Sequence, residues 1–268
     1  MPAIDHSGDL ALLVAAAQAA APIACAYGAP KVWDKPDGGG PVCEADLAVD
    51  AMLRERLGAA RPGYGWLSEE TEDDSSRLSR PLVWVVDPID GTRAFAKGRP
   101  HFVISVALVE AGRPVLGVLF NPATEEFFEA EKGKGAKLNG RPIHVSDCRS
   151  IEGCRMIAFA PMFKHPAWPE PWPEMEISDR NSVAYRVALV ASGQADATLA
   201  LNGKSDWDLA AADIILHEAG GRMTAHDGTP YFYNRASTRH PSLLAAGPAL
   251  YEALFAKVGA LQLPPRRG

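Results

Sequence analysis

The segment 87–92, Asp-Pro-Ile-Asp-Gly-Thr, places two carboxylates three positions apart directly after the apolar run 82–86. This run predicts a buried strand that ends here, because Pro88 has no N–H with which to extend a strand ladder and Gly91 permits a sharp turn. The two carboxylates can then converge on one point, which suits a hard cation such as Mg2+. A helix that begins at Thr92 would also turn backbone amides towards an anion.

Further carboxylates stand at two other predicted element boundaries. They matter because the segment 87–92, taken alone, fits an ordinary turn after a core strand equally well. Glu69 and Glu70 close one segment, and Asp208 begins the helical pattern 209–219. Three separate segments therefore each offer carboxylates at the end of an element, where they can share one site.

These blocks resemble those of the Mg2+-dependent, lithium-sensitive phosphomonoesterases, a family that includes inositol monophosphatases and 3'(2'),5'-bisphosphate nucleotidases. The family pattern is an upstream Asp, then Glu-Glu, then Asp-Pro-Ile/Leu-Asp-Gly-Thr/Ser, then Trp-Asp-x-Ala-Ala. Here the blocks are Asp46, 69–70, 87–92 and 207–211, in the same order. Four ordered blocks are far more specific than any single one, and the resemblance extends from about residue 35 to residue 221.

The resemblance implies a site for two or three Mg2+ ions. Glu69, Asp87 and the carbonyl oxygen of Ile89 would bind one ion, and Asp87, Asp90 and Asp208 a second, so that Asp87 bridges the two. Two dications repel strongly unless carboxylates offset their charge, which gives the bridge a physical reason. Such a pair can stabilise both the attacking and the leaving oxygen of a phosphoryl displacement. Lithium would inhibit by competing for one Mg2+ position.

The predicted nucleophile is a metal-bound water. No Ser-His-Asp set or reactive cysteine motif accompanies the acids, and a bound divalent ion lowers the pKa of water. The resemblance assigns orientation and deprotonation of this water to Thr92 and Asp46, with Glu69 also in a catalytic role. Many relatives have Thr where this chain has Cys43, so a hydroxyl is lost there. Asp46 alone would equally fit a first-turn helix acid favoured by the helix dipole.

The resemblance also implies which residues contact the substrate and which acid supports the metal ligands. The predicted substrate contacts are Asp90, Gly91, Thr92 and Asp208. Glu70 is predicted to tune the metal and solvent geometry from behind Glu69. The segment 69–74, Glu-Glu-Thr-Glu-Asp-Asp, would otherwise fit a solvated acidic loop.

Sequence periodicity divides the chain into two predicted halves, 1–145 and 146–268. In the first half, a helix over 45–57 precedes β-rich runs at 102–109 and 115–121, which predicts helices packed on an antiparallel sheet. The second half alternates helices and strands, which indicates a smaller α/β unit. The resemblance implies a layered α-β-α-β-α sandwich, an α/β fold of the α+β kind, with the metal site in the cleft between the halves.

Composition is typical of a cytoplasmic enzyme. The chain has 268 residues, 47% of them hydrophobic, and a net charge of -6, which gives no electrostatic reason to expect a nucleic-acid polymer or a membrane as partner. Its four cysteines form no Cys-x-x-Cys pair, which favours reduced thiols. The alanine-rich stretch 10–26 is predicted to be a buried or amphipathic helix rather than a signal peptide or membrane span, because its flank 1–9 is acidic.

Substrate choice depends on residues outside the four blocks. Inositol monophosphatases carry a Glu that meets substrate hydroxyls seven residues before the aspartate of Trp-Asp, and here Leu201 occupies that position. The segments 35–36, 67–70 and 93–95 look more like those of bacterial 3'(2'),5'-bisphosphate nucleotidases. The leading hypothesis is therefore hydrolysis of 3'-phosphoadenosine 5'-phosphate to AMP. Candidate ligands for its second phosphate, with none preferred, are Lys35, Lys97, Arg99 and Lys204.

Other functions stay open at the level of sequence. Within the same chemistry they are an inositol-1-monophosphatase and a histidinol-phosphate or sugar phosphatase. A different class, a non-catalytic phosphometabolite-binding protein, is weakened by the presence of every metal-ligating acid. Family habit implies a homodimer. The proline- and tryptophan-rich segment 166–173 is predicted to be a surface loop that packs its own aromatic rings.

Overall fold

Three helical layers alternate with two β-sheets in the computed structural model, which describes residues 6–28, 30–36, 40–166 and 168–263. The first helical layer consists of α1 (Ser7–Ala26) and α2 (Glu44–Ala60). Between them lies an antiparallel hairpin of β1 (Val32–Asp34) and β2 (Pro41–Cys43). The predicted helix over 45–57 is confirmed, although α2 continues two residues beyond Gly58.

The face of α1 that meets α2 consists of small and apolar side chains at helical spacing. Leu13, Ala16, Ala17, Ala20 and Ala24 are all fully buried. Among the described helices, α1 alone is long and apolar enough over Gly8–Ala26 to cross a membrane by length and composition, a test that buried core helices also pass. Its packing against α2 and the first sheet confirms the predicted buried helix.

The first sheet has seven strands in sequential order within the described residues. They are β3 (Gly65–Ser68), β4 (Leu82–Asp90), β5 (Val103–Glu110), β6 (Arg113–Asn121), β7 (Glu126–Glu131), β8 (Ala136–Leu138) and β9 (Arg141–Pro142). The prediction of an antiparallel sheet is wrong for one pair, since β3 and β4 are parallel and the chain crosses between them through a 3-10 helix at Ser76–Ser79. A one-turn helix, α3 (Thr92–Phe95), follows β4.

The strand β4 is buried on both faces of this sheet. Trp84 and Val86 pack into the core formed with α1 and α2, whereas Val83 and Val85 pack into the core on the opposite side. This alternation is the period-two pattern of a strand covered on both faces. β4 does not end at Val86 as predicted but continues through Asp90, with a shift of register between Asp87 and Asp90.

The second part of the chain supplies the middle helices, a second sheet and a last helix. These elements are β10 (Arg155–Ile157), β11 (Glu176–Ser178), α4 (Val183–Ala191), β12 (Ala197–Ala200), β13 (Lys204–Ser205), α5 (Asp206–Glu218), β14 (Arg222–Thr224), β15 (Arg239–His240), β16 (Leu243–Ala246) and α6 (Pro248–Val258). The sheet has the order β11-β10-β12-β16-β14 and mixes parallel with antiparallel pairs. The strands β13 and β15 form a separate antiparallel pair.

The order of the layers confirms the α-β-α-β-α sandwich. The helix α5 packs on β4 to β7 of the first sheet, and α4 packs on α5 and on β12 and β16 of the second sheet. The last helix, α6, covers the outer face of the second sheet. A helix from the second half of the sequence therefore lies directly on the first sheet, and the division of the chain at residues 145 and 146 stays a prediction.

The proline-rich loop packs on itself in the described residues around position 167. Trp168 and Trp172 meet edge to face with ring centroids 5.0 Å apart, and Trp172 meets Phe163 in the same way at 4.8 Å. Lys257 of α6 lies over the ring of Trp172 at 5.3 Å. The expected packing of the loop's own aromatic rings is what the structure shows.

Candidate active site

Carboxylates from three distant segments meet beside the end of β4. Oxygen atoms of Glu69, Asp87 and Asp208 all lie within 4.8 Å of one another. Glu69 directly follows β3, Asp87 lies in β4, and Asp208 lies in the first turn of α5. Because β3 and β4 are parallel neighbours, their carboxyl ends reach the same edge of the sheet, and α5 packs against that sheet.

Asp90 is held at the same end of β4 by the start of α4. Its Oδ2 accepts hydrogen bonds from Ser182 Oγ and from the backbone N–H of Ala184, both at 2.6 Å. Ser182 is also the N-cap of α4, and its Oγ accepts from the N–H of Tyr185. Sequence reasoning missed Ser182 and Ala184. The only signal for them is the cap serine itself, and nothing local shows that α4 begins against Asp90.

The mutual repulsion of these buried carboxylates favours the binding of a cation. Burial, together with the negative charges of Glu69, Asp90 and Asp208, raises the pKa of Asp87 well above its usual range. Burial and neighbouring carboxylates likewise raise the pKa of Asp208 to about 7, and burial raises that of Asp90 to about 6. Asp87 Oδ1 is buried and has no hydrogen-bond partner among the described residues.

A Mg2+ site fits this donor set. Hard divalent cations take oxygen ligands, and an orphaned carboxylate oxygen beside two further carboxylates offers them. A bound cation would also remove the repulsion that raises the pKa values of these acids. Ile89, the predicted backbone ligand, has a fully buried side chain, and its carbonyl oxygen lies 3.2 Å from Thr92 Oγ1.

Asp46 and Asp208 occupy matching positions in their helices. Each is the third residue of a helix, and one oxygen of each accepts from the backbone N–H of the N-cap residue, Cys43 at 2.8 Å and Ser205 at 2.6 Å. This capping box fixes the position of one carboxylate oxygen and the rotamer of the aspartate side chain. Cys43 is the N-cap residue of α2, and burial raises the pKa of its thiol to about 12.

The second oxygen of Asp46 faces Thr92. Thr92 Oγ1 lies 3.0 Å from Asp46 Oδ1, and both side chains are buried. Burial raises the pKa of Asp46. The structure thus brings together the predicted pair, and it also places Asp46 in the first turn of α2, as the alternative expected. Gly91 turns the chain with φ 107, and a Cβ there would lie 2.6 Å from the carbonyl oxygen of His101.

Lys35 forms ion pairs with both Glu69 and Glu70. Its Nζ is 3.0 Å from Glu69 Oε1 and 2.9 Å from Glu70 Oε1. The Glu70 side chain is only 3% exposed, and burial raises its pKa to about 7. Neither glutamate belongs to a freely solvated loop. Of the basic residues predicted for a second phosphate, Lys35 is therefore engaged with acids, while Lys97 and Arg99 are exposed.

A groove of about 820 Å3 opens beside the acids. Its wall carries three cationic side chains, Arg93, Arg186 and Lys204, of which Arg93 directly follows Thr92. Arg186 and Lys204 are close enough to act electrostatically on Asp90 and Asp208 respectively.

The rest of the groove mixes polar side chains, among them Asp179, Asn181 and Asn202, with apolar ones, and Asp179 lies 3.2 Å from Arg186. Phe159, Met162 and Leu201 line the groove, and Phe159 is 61% exposed. An apolar pocket of about 350 Å3 adjoins it and shares Met162 and Leu201. Sequence reasoning missed Arg186, whose only signal is a basic residue inside the otherwise apolar run 183–191.

Comparison with known proteins agrees with this architecture. The family model described as the inositol monophosphatase family matches residues 8–262. An inositol-1-monophosphatase of Rhizobium meliloti is 35% identical and aligns over 70% of this chain and 73% of its own length. A histidinol-phosphatase of Mycobacterium tuberculosis is also 35% identical, over 70% of this chain and 75% of its own.

Solved structures with the same fold cover almost the whole chain. The suhB protein of Bartonella henselae has a TM-score of 0.79 at 28% identity and covers 95% of this chain and 99% of its own. An IMPase of Thermotoga maritima has a TM-score of 0.81 at 27% identity, with 94% and 96% covered. Members of the matched family hydrolyse phosphate monoesters and are metal-dependent, generally with Mg2+. This chain belongs to the inositol monophosphatase family and is a phosphatase acting on small phosphorylated substrates.

Proposed function

We propose that this phosphatase removes the 3'-phosphate of 3'-phosphoadenosine 5'-phosphate to give AMP. The groove beside the acids is the observation that carries the proposal. It joins the cations Arg93, Arg186 and Lys204 to the apolar side chains Phe159 and Leu201 within one cavity. A substrate with a second phosphate and an aromatic base matches both features, because cations bind the phosphate and apolar side chains pack on the base.

The volume and polarity of the groove favour such a substrate over a bare polyol phosphate. About 820 Å3 lies within the range of pockets for drug-sized ligands, roughly 300–1,000 Å3. Leu201 offers no acceptor for sugar hydroxyls, and Met162 beside it adds a second apolar side chain. Hydroxyls of a polyol that packed on Leu201 and Met162 would lack partners on those two side chains, which costs free energy.

We assign the metal ligands as the family resemblance implies, and the proximity of Glu69, Asp87 and Asp208 supports the assignment. Glu69, Asp87 and the Ile89 carbonyl oxygen would hold one Mg2+, and Asp87, Asp90 and Asp208 a second. When bound, Mg2+ supplies charge neutralisation, polarisation of the phosphate and acidification of water. Lithium inhibition in the millimolar range follows from competition for one of these positions. Phosphate release that persists undiminished in lithium, while still requiring Mg2+, would contradict this part of the proposal.

The chain's own groups supply proton transfer and orientation. Thr92 Oγ1 accepts a proton from the attacking water as its own proton passes to Asp46 Oδ1, over the 3.0 Å contact between them. Burial raises the pKa of Asp46, which makes it a better proton acceptor. The water oxygen bonds to phosphorus, the ester P–O bond breaks, and the leaving oxygen takes a proton from solvent. Asp90, Gly91, Thr92 and Asp208 line the reacting phosphate in this proposal.

A phosphate-release panel tests the substrate. It compares 3'-phosphoadenosine 5'-phosphate with inositol 1-phosphate, histidinol phosphate and fructose 1,6-bisphosphate at equal Mg2+. We expect the highest kcat/KM for the nucleotide. The variant Leu201→Glu should lower kcat/KM for the nucleotide and raise it for inositol 1-phosphate, because a carboxylate repels a phosphate and accepts from hydroxyls. Preference of the wild type for any other substrate of the panel would overturn the nucleotide assignment.

An inositol-1-phosphatase is the second candidate. The relative named inositol-1-monophosphatase, at 35% identity, is the observation that favours it. The same panel decides, since this candidate requires inositol 1-phosphate to be the best substrate and Leu201→Glu to be no improvement.

We extend the proposal to the state of the protein in the cell. The protein is proposed to be a cytoplasmic homodimer that binds neither a nucleic-acid polymer nor a membrane. The net charge of -6 and the four free cysteines support the location and the two absences, and the dimer rests on the habit of the family. Sedimentation equilibrium tests the dimer, and a monomer across the micromolar range would contradict it. Co-sedimentation with anionic vesicles and with RNA tests the two expected absences.

A further inference from the structure

Arg77 is a fully buried arginine in the 3-10 helix between β3 and β4, with 0% of its surface exposed. All five of its N–H groups donate. Two form a bidentate pair with Asp73, at 3.0 Å to Oδ1 and 2.7 Å to Oδ2. The other three reach Asn234 Oδ1 at 2.7 Å and the carbonyl oxygen of Arg235 twice at 3.2 Å. A planar guanidinium with every donor used holds its partners in one geometry.

The contacts of Arg77 continue to the helix that carries Asp208. The backbone N–H of Asn234 donates to Asp206 Oδ2 at 2.8 Å, and the other oxygen of Asp206 lies 2.7 Å from His240 Nε2. Asp206 is fully buried and stands two residues before Asp208 in the first turn of α5. We call Asp73, Arg77, Asn234 and Asp206 the Arg77 network.

The opposite end of the network holds the loop that carries Glu69. This loop is tied at its start by Asp50 of α2, whose carboxylate accepts from Ser68 Oγ and, at 2.5 Å, from Thr71 Oγ1. It is tied at its end by the pair between Asp73 and Arg77. Glu69 therefore lies in a segment anchored on both sides, and only the second anchor connects it through the network to α5.

We infer that Arg77 is a positioning residue that sets the separation between the carboxylates of Glu69 and Asp208, and with it the affinity for Mg2+. The inference rests on the proposed function, which assigns both acids to the metal site. Their oxygens lie within 4.8 Å and repel each other, so a loop held only by Asp50, by Lys35 and by the backbone bond from Glu69 N–H to Val86 would be freer to move away from α5. The Arg77 network opposes that movement without touching metal or substrate.

The variant Arg77→Lys tests the inference, because lysine keeps the charge but not the planar fork. Mg2+ binding to the full-length protein, stripped with EDTA, is measured by titration calorimetry. We expect about tenfold weaker binding, in line with the loss found when partners behind metal ligands are removed. The Mg2+ concentration for half-maximal activity should rise by the same factor, while kcat at saturating Mg2+ stays unchanged. General loosening of the fold would not weaken Mg2+ binding while leaving kcat at saturating Mg2+ unchanged.

Arg155→Lys is a control for the loss of a bidentate arginine pair, at a side chain that is 45% exposed rather than buried. Arg155 also forms a bidentate pair with an aspartate, Asp196, and donates to two backbone carbonyls, but it lies on β10 in the second sheet. Loss of the bidentate pair between Arg155 and Asp196 should lower the melting temperature and leave Mg2+ affinity unchanged. Asn234→Gly is a second test, since glycine tolerates the φ of 56 there and removes the acceptor for Arg77. It should weaken Mg2+ binding in the same direction.

The outcomes separate the inference from the proposed function. Wild-type affinity for Mg2+ in both Arg77→Lys and Asn234→Gly would overturn the inference and leave the metal site intact. A fall in Mg2+ affinity in Arg155→Lys equal to that in Arg77→Lys would overturn it as well. Wild-type protein that binds no Mg2+ at all would instead overturn the metal site of the proposed function.

Discussion

The acidic cluster of Glu69, Asp87, Asp90 and Asp208 and the cationic groove beside it differ in burial. Asp87 is 1% exposed, whereas Phe159 on the groove wall is 61% exposed. Three of the acids crowd their oxygens within 4.8 Å, while the groove encloses about 820 Å3. Charge crowded in a buried site is costly unless it is compensated. Of the groove cations, the exposed Arg93 is screened by solvent, whereas Lys204 is buried at 6% exposure.

This difference predicts a division of labour. If the cluster binds the cation as proposed, it cannot change a carboxylate without altering cation binding and, with it, the reaction common to the family. The exposed wall of the groove, with Arg93 and Phe159, can exchange side chains at small cost, so that it would govern which phosphate ester is bound. Substitutions in the cluster should therefore act on kcat and on Mg2+, and substitutions in the groove on KM.

The largest effect is expected for Asp87→Asn. Asp87 is the proposed bridge, so kcat should fall by more than about a hundredfold, since even partners behind a metal ligand are worth 10–100-fold. Without metal, the variant should melt at a higher temperature than the wild type, because a buried carboxylate among like charges is gone. Stopped assays of phosphate release and thermal unfolding in EDTA measure the two effects.

Asp147→Asn is the control, because Asp147 is exposed on the surface. It should change neither quantity. An Asp87→Asn variant with wild-type turnover would remove the distinction between the cluster and the groove.

The next effect is expected at Thr92→Val, which keeps the shape of the side chain and removes the hydroxyl that faces Asp46 Oδ1 at 3.0 Å. Loss of proton transfer should lower kcat by roughly a hundredfold with little change in KM. Thr92→Ser keeps the hydroxyl and should retain most of the turnover. If serine and valine variants are equally slow, the hydroxyl is not the group that matters.

A smaller effect is expected in the groove at Arg93→Gln. Arg93 is exposed and makes no ion pair within the described part of the chain, so its removal should leave the fold unchanged. Loss of one cation beside the second phosphate should raise KM for 3'-phosphoadenosine 5'-phosphate by about tenfold at constant kcat. KM for inositol 1-phosphate, which has no second phosphate, serves as the internal control. Equal changes for both substrates would place Arg93 at the reacting phosphate instead.

The smallest effect is a pH dependence of metal-free stability. Folding raises the pKa of Asp90 to about 6 and that of Asp208 to about 7, above the unfolded value near 3.9. The folded state then binds more protons than the unfolded state between about pH 4 and pH 7, so this part of the stability is lost as pH rises through that range. Mg2+ competes with these protons, and its stabilising effect should be larger at pH 8 than at pH 6.

Thermal unfolding at several pH values, with Mg2+ and with EDTA, measures this dependence. Asp208→Asn should flatten the loss of metal-free stability with pH. A slope identical to that of the wild type would place the titrating group outside the acidic cluster.

Much of the candidate site could be predicted from local sequence. Asp46, Glu69, Asp87, Asp90, Thr92 and Asp208 stand in short motifs at element ends, and the structure brings Glu69, Asp87 and Asp208 together. The long helices and the longer strands, such as β4, β5 and β6, followed from periodicity, because apolar spacing reflects burial on one face or on two, whereas short strands such as β1, β10 and β13 were not predicted. The parallel pairing of β3 with β4 could not be predicted in this way, since strand direction depends on the crossover between them.

The sequence by itself determined the family, the phosphatase chemistry and the order of the elements, because those depend on residue types and spacing within short segments. Only the tertiary structure decided which side chains hold the acids in place. Ser182 on Asp90, Lys35 on Glu69 and Glu70, and Arg77 on Asn234 each join residues far apart in the chain. Such contacts leave no local pattern, since they form only when separate layers pack and a buried polar group must find a partner wherever the fold supplies one.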